Sequence, residues 1–412
     1  MMPRHWSIAL LLTLGCAPGR EVASSPGTGG DSEYLYLWTG SVDSTQPDFL
    51  AVLDVRPDTG RYGALVSTVP VPGRINGPHH TEHELAADGV LFANGFGTGK
   101  TFIFDVREGA SVKLAGEFGE QDSYGHPHSF LRLPNGNVLG TFQMRHTESG
   151  MLPGGLVEMT TAGALVRSSS AMGPGVSLGL RPYSGQIVPA LDRIVTSTTD
   201  MDETNPYKAN QLQIWRLSDL ALLHTITLPQ GPRRNEADFT AEPRLLGDGR
   251  TLLVSTFNCG LYLLEGLDGD APTGRLVSSF PLAPGTDCAI PVVAGRYWVT
   301  TVTAIPAVVS LDISDPANPR ETSRLVFDSG AKPHWLGLEP NTRRMALTGG
   351  GTLRNRVVMI RFDSATGILS LDSLFREPGA TQPGFVMDGR TWPHGSTAPG
   401  RAHGAVFSRS RD

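Results

Sequence analysis

The sequence predicts an all-β, seven-bladed β-propeller, and three observations predict it. Glycine and proline are abundant, at 49 and 31 of 412 residues, and long stretches with helical periodicity are almost missing. Short runs of β-branched and aromatic residues alternate with turn signals, which is the pattern of strands. One unit then recurs every roughly 40–60 residues, the length of a four-stranded propeller blade. The roughly 380 residues after the N-terminal segment divide into about seven such units, with six or eight as neighbouring counts. Closing the ring removes the sheet edges that would otherwise invite aggregation.

The strands read as Tyr34-Leu35-Tyr36-Leu37-Trp38, Phe49-Leu50-Ala51-Val52-Leu53-Asp54-Val55, Thr101-Phe102-Ile103-Phe104-Asp105-Val106, Leu252-Leu253-Val254-Ser255-Thr256, Tyr297-Trp298-Val299-Thr300-Thr301-Val302 and Val357-Val358-Met359-Ile360-Arg361-Phe362-Asp363. Two-residue turns punctuate the repeats at Asp88-Gly89, Asn135-Gly136, Asp248-Gly249, Ala294-Gly295 and Asn341-Thr342.

Ahead of the propeller, Arg4 precedes an apolar run over residues 6–14, followed by Gly15-Cys16. That is the layout of a secretory signal peptide, and it falls well short of the about 20 residues a spanning helix needs. Leu12-Thr13-Leu14-Gly15-Cys16 resembles a bacterial lipobox with Cys16 as the lipidated residue. The expected organisation is a signal peptide over 1–16, a flexible Gly/Pro/Ser-rich tether over 17–33, and one propeller domain over 34–412. The chain is then an exported lipoprotein, periplasmic or anchored to the outer membrane, and meets membrane only through its lipid.

Net charge is −6 and no basic run exceeds two residues, so nucleic acid is not an expected partner. Apart from Cys16 the cysteines are Cys259 and Cys288. In an exported chain they pair as one disulfide; two buried free thiols are the alternative.

Gly77-Pro78-His79-His80-Thr81-Glu82-His83-Glu84 is the densest concentration of imidazole in the chain. His126-Pro127-His128, Pro333-His334 and Trp392-Pro393-His394 repeat its Pro-His entry. Counted from the turns, His128, Asp287 and His334 each lie seven positions before Asn135, Ala294 and Asn341, and His80 and Glu242 fall within one residue of that offset. The first strand of each blade lines the central channel, so equivalent positions converge on one mouth. A ring of imidazoles with one or two carboxylates suits copper, zinc, iron or manganese better than calcium or magnesium. The candidate ligands are His79, His80, His83, His126, His128, His334, His394 and His403, with Glu242 and Asp287 as proton acceptors or orienting groups. His146 and His224 stand outside the register and read as surface or packing residues.

Two motifs are decoys. Gly95-Phe96-Gly97-Thr98-Gly99-Lys100-Thr101 imitates a phosphate-binding loop, but Asn94 replaces its first glycine and a strand follows where a helix is required. His83-Glu84 begins like a zinc-protease motif, but Ala87 stands where the second histidine belongs.

Several segments resemble the selenium-binding protein and methanethiol oxidase family. Pro47-Asp48-Phe49-Leu50-Ala51-Val52-Leu53-Asp54-Val55 is similar to that family's opening strand, and Val69-Pro70-Val71-Pro72 with His79-His80 to its next segment. Leu311-Asp312-Ile313-Ser314-Asp315-Pro316-Ala317-Asn318-Pro319 is similar to its late Asp-Ile-Ser-Asp-Pro motif. The resemblance runs from about Tyr34 to His403 and implies a seven-bladed propeller. In the methanethiol oxidases it implies copper-dependent oxidation of methanethiol to formaldehyde, hydrogen sulfide and hydrogen peroxide. Carried over residue by residue, it covers His79, His80, His128, Glu242, Asp287 and His394. Gly63 stands where the selenium-binding relatives carry a cysteine, which weighs against selenium binding; His334 stands where they tend to have glutamine, and His83 and His403 are additional.

The resulting expectation is an exported metal-binding propeller acting as a copper-dependent oxidase of methanethiol or a related small thiol, with His80, His128, His334 and His394 around the copper. Two alternatives stay open: a non-catalytic propeller that binds metal or a partner, and a lactonase-like metal hydrolase.

Overall fold

The computed structural model describes residues 30–148, 150–201, 207–280 and 287–410. The expected signal peptide, Cys16 and the expected tether up to residue 29 lie outside these. The described residues form seven antiparallel sheets with four strands along each main path, arranged as the blades of a propeller. Blades are numbered here in chain order. Among the described residues no helix is long and apolar enough to cross a membrane.

Blade 1 joins the two ends of the chain. Its innermost strand is Gly400–Phe407, which pairs with Tyr34–Ser41 in the register Leu35↔Phe407. The innermost strands of blades 2 to 7 are Pro78–Thr81, Tyr124–Arg132, Gly185–Val188, Thr240–Leu245, Val292–Ala294 and Ala331–Leu338. Each of the seven touches the next around the ring, which places them about the channel.

Burial follows position within a blade. Middle strands such as Phe49–Asp54 and Tyr297–Val302 are buried along their whole length, because a neighbouring blade covers each face. They therefore read as continuous apolar runs rather than alternating ones. Outermost strands such as Lys113–Phe118 alternate exposed with half-buried positions. Between blades 1 and 2, Trp38, Leu50 and Val52 pack against Leu91, Phe102 and Phe104, and the Trp38 ring lies 5.5 Å from Phe102. Each such side chain contributes about 1.5–3 kcal/mol on burial, and the contributions are spread around the ring.

The turns do what their residues suggest. Gly89, Gly136, Gly249 and Gly295 all have positive φ, and Thr342 takes the same left-handed conformation (φ 60°) without being glycine. The phosphate-loop imitation is a short 3-10 turn, Phe96–Thr98, leading into the strand Lys100–Asp105. Cys259 and Cys288 are bridged, fastening a turn of blade 5 to the segment that enters blade 6. At the N-terminal boundary Ser32 is buried: its N–H donates to Glu339 (2.8 Å) and its hydroxyl to the carbonyl of Ser408 (2.6 Å), so the last tether residues are held against the domain.

Candidate metal centre

The innermost strands are not regular. Those of blades 1, 2, 3, 5 and 7 each break register where an imidazole or carboxylate sits. His79 and His80 lie between Pro78↔Gly95 and Thr81↔Ala93; His128 between Pro127↔Phe142 and Phe130↔Gly140. Glu242 lies between Thr240↔Thr256 and Pro243↔Val254, His334 between Pro333↔Gly349 and Trp335↔Thr348, and His403 between Thr39↔Ala402 and Leu37↔Ala405. A bulge re-aims a side chain out of the alternating pattern, here toward the channel. Pro78, Pro127 and Pro333 precede three of these histidines; having no N–H, proline fits a strand whose inner edge is unpaired.

Polar residues of the second strands in blades 2, 3, 6 and 7 tie each of these blades to the next. Asn94 accepts the N–H of His80 (2.7 Å) and donates to the carbonyls of Pro127 (3.0 Å) and His128 (2.9 Å). Thr141 donates to the carbonyl of Tyr183 (2.6 Å), Thr301 to that of His334 (3.0 Å) and Thr348 to that of His403 (2.6 Å). The asparagine that spoils the phosphate loop thus serves the histidine site.

The imidazoles form a column along the channel. Ring centroids of His79 lie 4.4 Å from His80 and 4.1 Å from His403; His80 and His128 are 4.1 Å apart, and His334 and His403 4.7 Å. Three groups of donor atoms, each mutually within 4.8 Å, result: His79/His80/His128, His79/His334/His403 and His80/His83/Glu242. The Nδ1 of His128 lies 2.9 Å from the Tyr183 carbonyl, which can only accept, so that nitrogen carries the proton and Nε2 keeps its lone pair. The Ser129 hydroxyl, which can donate or accept, lies 3.2 Å from Nδ1 of His80 and 3.1 Å from Nδ1 of His128. Within the column, His79 Nδ1, His80 Nε2, His128 Nε2, His403 Nδ1 and Glu242 Oε1 are buried without a partner; outside it so are His126 Nδ1 and His394 Nε2. Several such atoms in one place are costly unless a ligand takes them up, and imidazole lone pairs are what a transition metal requires. The residues fit a metal.

Burial sets their charge. His79, His80, His83 and His403 are held well below the usual imidazole range, first by burial. Burial likewise takes His334 to about 4 and His128 to about 3. All are neutral at pH 7 and available as ligands.

Below the column, Glu242 accepts from Ser184 (2.5 Å) and Arg244 (2.7 Å) and lies 3.7 Å from His83. Burial raises its pKa, against the pull of Arg244. His83 stacks on the indole of Trp335 at 4.8 Å with planes 9° apart. Cavities open at both ends: one of about 630 Å³ lined by Asp287, Lys332, His334 and His403, and one of about 650 Å³ lined by His83, Arg132 and Arg244.

Two expected ligands lie elsewhere. His126 has φ 55°, which breaks the strand alternation and turns its ring to Phe96, 5.7 Å away, rather than beside His128. His394 sits over blade 1, its Nδ1 2.8 Å from the Thr68 hydroxyl and its ring 4.7 Å from Phe49. The place expected for His394 in the ring is taken by His403. Asp287 is exposed at the cavity rim. Outside the register, His146 pairs with Glu120 at 2.5 Å, and His224 lies in the outer strand Leu222–Thr227 of blade 4. Sequence reasoning missed Tyr183, whose ring lies 3.9 Å from His128, and also Ser184, Arg244 and Trp335. Tyr183 and Ser184 lead into the innermost strand of blade 4, and the Tyr183 carbonyl accepts from Thr141 as those of His334 and His403 accept from Thr301 and Thr348.

No family model matches the chain. The methanethiol oxidase of a Hyphomicrobium species is 24% identical over 346 residues, covering 76% of each chain. That of Ruegeria pomeroyi is 34% identical over 118 residues, 27% of this chain and 26% of that protein. Among solved structures, a hypothetical selenium-binding protein from Sulfolobus tokodaii superposes with a TM-score of 0.74 at 16% identity, over 92% of this chain and 94% of that one. The chain is a distant homologue of the methanethiol oxidases it matches and shares its fold with the selenium-binding protein. A periplasmic gluconolactonase of Pseudomonas aeruginosa shares the fold at TM-score 0.59 and 12% identity, over 82% of this chain and 94% of that one.

Within the family frame, Gly63 gains a reason. Its φ is 91° and a Cβ there would come within 2.6 Å of the Arg376 backbone, so a cysteine does not fit without local rebuilding. The Asp-Ile-Ser-Asp-Pro segment follows the third strand of blade 6, where the N–H of Ser314 donates to Asp312 (2.8 Å).

Proposed function

We propose that this chain is an exported, copper-dependent oxidase of methanethiol or a closely related small thiol. The observation that carries the reading is the convergence of His79 Nδ1, His80 Nε2, His128 Nε2 and His403 Nδ1, buried and without partners, inside a propeller related to the methanethiol oxidases. Methanethiol and water give formaldehyde, hydrogen sulfide, two protons and two electrons; dioxygen takes those protons and electrons to become hydrogen peroxide. Copper, when bound, would acidify the thiol and exchange electrons with dioxygen.

The chain's own residues supply the rest. Neutral imidazoles hold the metal, with Tyr183 and Ser129 fixing the orientation of His128 and His80. The cavity beside His334 and His403 admits the thiol. Glu242, its pKa raised by burial, lies 3.7 Å from His83 at the end of the column away from that cavity, where Arg244 lines the second cavity and the three groups form a proton-accepting end. A hydrolase around calcium is disfavoured, since nitrogen dominates the donor set and Glu242 is engaged by Arg244. Export is supported by the N-terminal pattern and the Cys259–Cys288 bridge.

The test is the protein purified untagged and loaded with copper. Methanethiol should be consumed with matching amounts of hydrogen peroxide, hydrogen sulfide and formaldehyde, and His128→Ala should lose at least the roughly 10–100-fold that disturbing a metal-site partner costs. A copper-loaded chain that leaves methanethiol and dioxygen untouched overturns the reading. Cys16→Ser should move the protein from the membrane to the soluble fraction; an unchanged membrane fraction removes the lipid anchor.

A further inference from the structure

We propose that the histidine column holds two metal ions, one at His79/His80/His128 and a second at His79/His334/His403. The proposal rests on the reading above only in requiring that the cluster bind metal.

Geometry separates the two positions. Nitrogen ligands sit about 2.0–2.1 Å from a metal such as zinc, so two ligands of one ion stand at most roughly 4 Å apart. The donor atoms fall into groups mutually within 4.8 Å, and no such group among the described residues joins His80 or His128 to His334 or His403. Five imidazoles therefore do not close on a single ion as they stand. They form two triads with His79 in common; a neutral imidazole has one lone pair, so to serve both ions His79 releases its ring proton to solvent and bridges as an imidazolate through Nδ1 and Nε2. The unpartnered atoms divide the same way: His80 Nε2 and His128 Nε2 below, His403 Nδ1 above, and His79 Nδ1 between.

The third group, His80/His83/Glu242, is closed to a cation. The Arg244 guanidinium lies 2.7 Å from Glu242 and 3.1 Å from His83 Nε2, so a fixed positive charge already occupies the carboxylate. The column thus offers two nitrogen triads and ends in an ion pair.

The triads differ in surroundings. His80 and His128 are fully buried, whereas His334 and His403 line the cavity of about 630 Å³. The upper ion meets the substrate and the lower one is enclosed. Two ions also match a two-electron oxidation when each metal changes its charge by one. Because nitrogen is the sole donor type in both triads, each selects a borderline metal, copper or zinc.

The experiment is metal stoichiometry by elemental analysis after loading with Cu(II) alone and removal of excess. The wild-type chain should hold two equivalents, His128→Ala one, His403→Ala one, and the double variant fewer than one. His126→Ala and His394→Ala should keep two. Thermal melting and circular dichroism establish that each variant is folded, and His334→Gln serves as a second upper-site variant should His403→Ala not fold. Electron paramagnetic resonance of the doubly loaded protein should show coupling between the two copper ions, lost in each single-site variant. One equivalent in the wild type, or loss of all copper from both single variants, overturns the two-ion proposal and leaves a single metal centre standing. No bound copper in the wild type overturns the metal reading as a whole.

Discussion

His334 and His403 hold the same place in neighbouring blades. Each is the fourth residue of its innermost strand, each lies at a bulge, and each offers its carbonyl to a threonine of the preceding blade, Thr301 at 3.0 Å and Thr348 at 2.6 Å. Their rings are 4.7 Å apart. Blade-to-blade hydrogen bonds therefore set the ligand spacing, and the backbone rather than the side chain is what they grip.

The first prediction tests that coupling. Thr348→Val keeps shape and volume but leaves the buried carbonyl of His403 without its donor, a loss of about 1–3 kcal/mol. Denaturant unfolding should show that loss, and metal affinity should fall with it while His403 itself is unchanged. A variant equal to wild type in metal affinity would show that the threonine staples the ring without positioning the ligand.

The same relationships show what the sequence disclosed. Hairpin turns and Pro-His entries revealed the blades and the ligand positions of blades 2, 3 and 7, because a local turn follows each innermost strand and can be counted from. Blade 1 has no such turn, since its innermost strand Gly400–Phe407 pairs with Tyr34–Ser41, which lies far from it in sequence. His403 therefore lay outside the count, and Trp392-Pro393-His394 imitated the entry. His126 belongs to the same Pro-His stretch as His128 and would share its face in a regular strand; its φ of 55° removes that regularity. Tyr183, Arg244 and Trp335 reach the site by packing across blades, and single-residue chemistry gave no reason to select them.

The second prediction concerns the bridge. Cys259 and Cys288 are 29 residues apart, for which chain entropy gives about 3–4 kcal/mol of stabilisation. Cys288 also donates its N–H to the carbonyl of Phe257, whose ring lies 5.6 Å from Tyr183. Changing both cysteines to alanine should lower the free energy of unfolding by that amount. It should also loosen the Asp287 rim, read as faster hydrogen exchange around residue 287. Equal unfolding midpoints for the two proteins would contradict it.

The third prediction is a pH dependence of the metal-free protein. Six imidazoles in the column, His79, His80, His83, His128, His334 and His403, are lowered chiefly by burial, His334 to about 4 and His128 to about 3. In the unfolded chain they titrate near 6.5. Above that value neither state is protonated there, and stability is flat. Between about 6.5 and 4 the unfolded chain binds protons that the folded chain refuses, so stability falls as pH is lowered through this window. Asp48, Glu82 and Glu242, raised by burial, act in the opposite sense because their folded forms hold protons more tightly. They are three against six, and each has hydrogen-bond or arginine partners that limit its shift. The net slope is therefore set by the histidines. Urea unfolding of metal-free protein from pH 8 to pH 4.5 should give a plateau above about 7 and a steady fall below 6.5. His334→Gln, which removes one such group, should make the fall shallower. A midpoint that does not move between pH 7 and 5 would mean that water reaches the imidazoles and that the column is not the dry, neutral ligand set its packing describes.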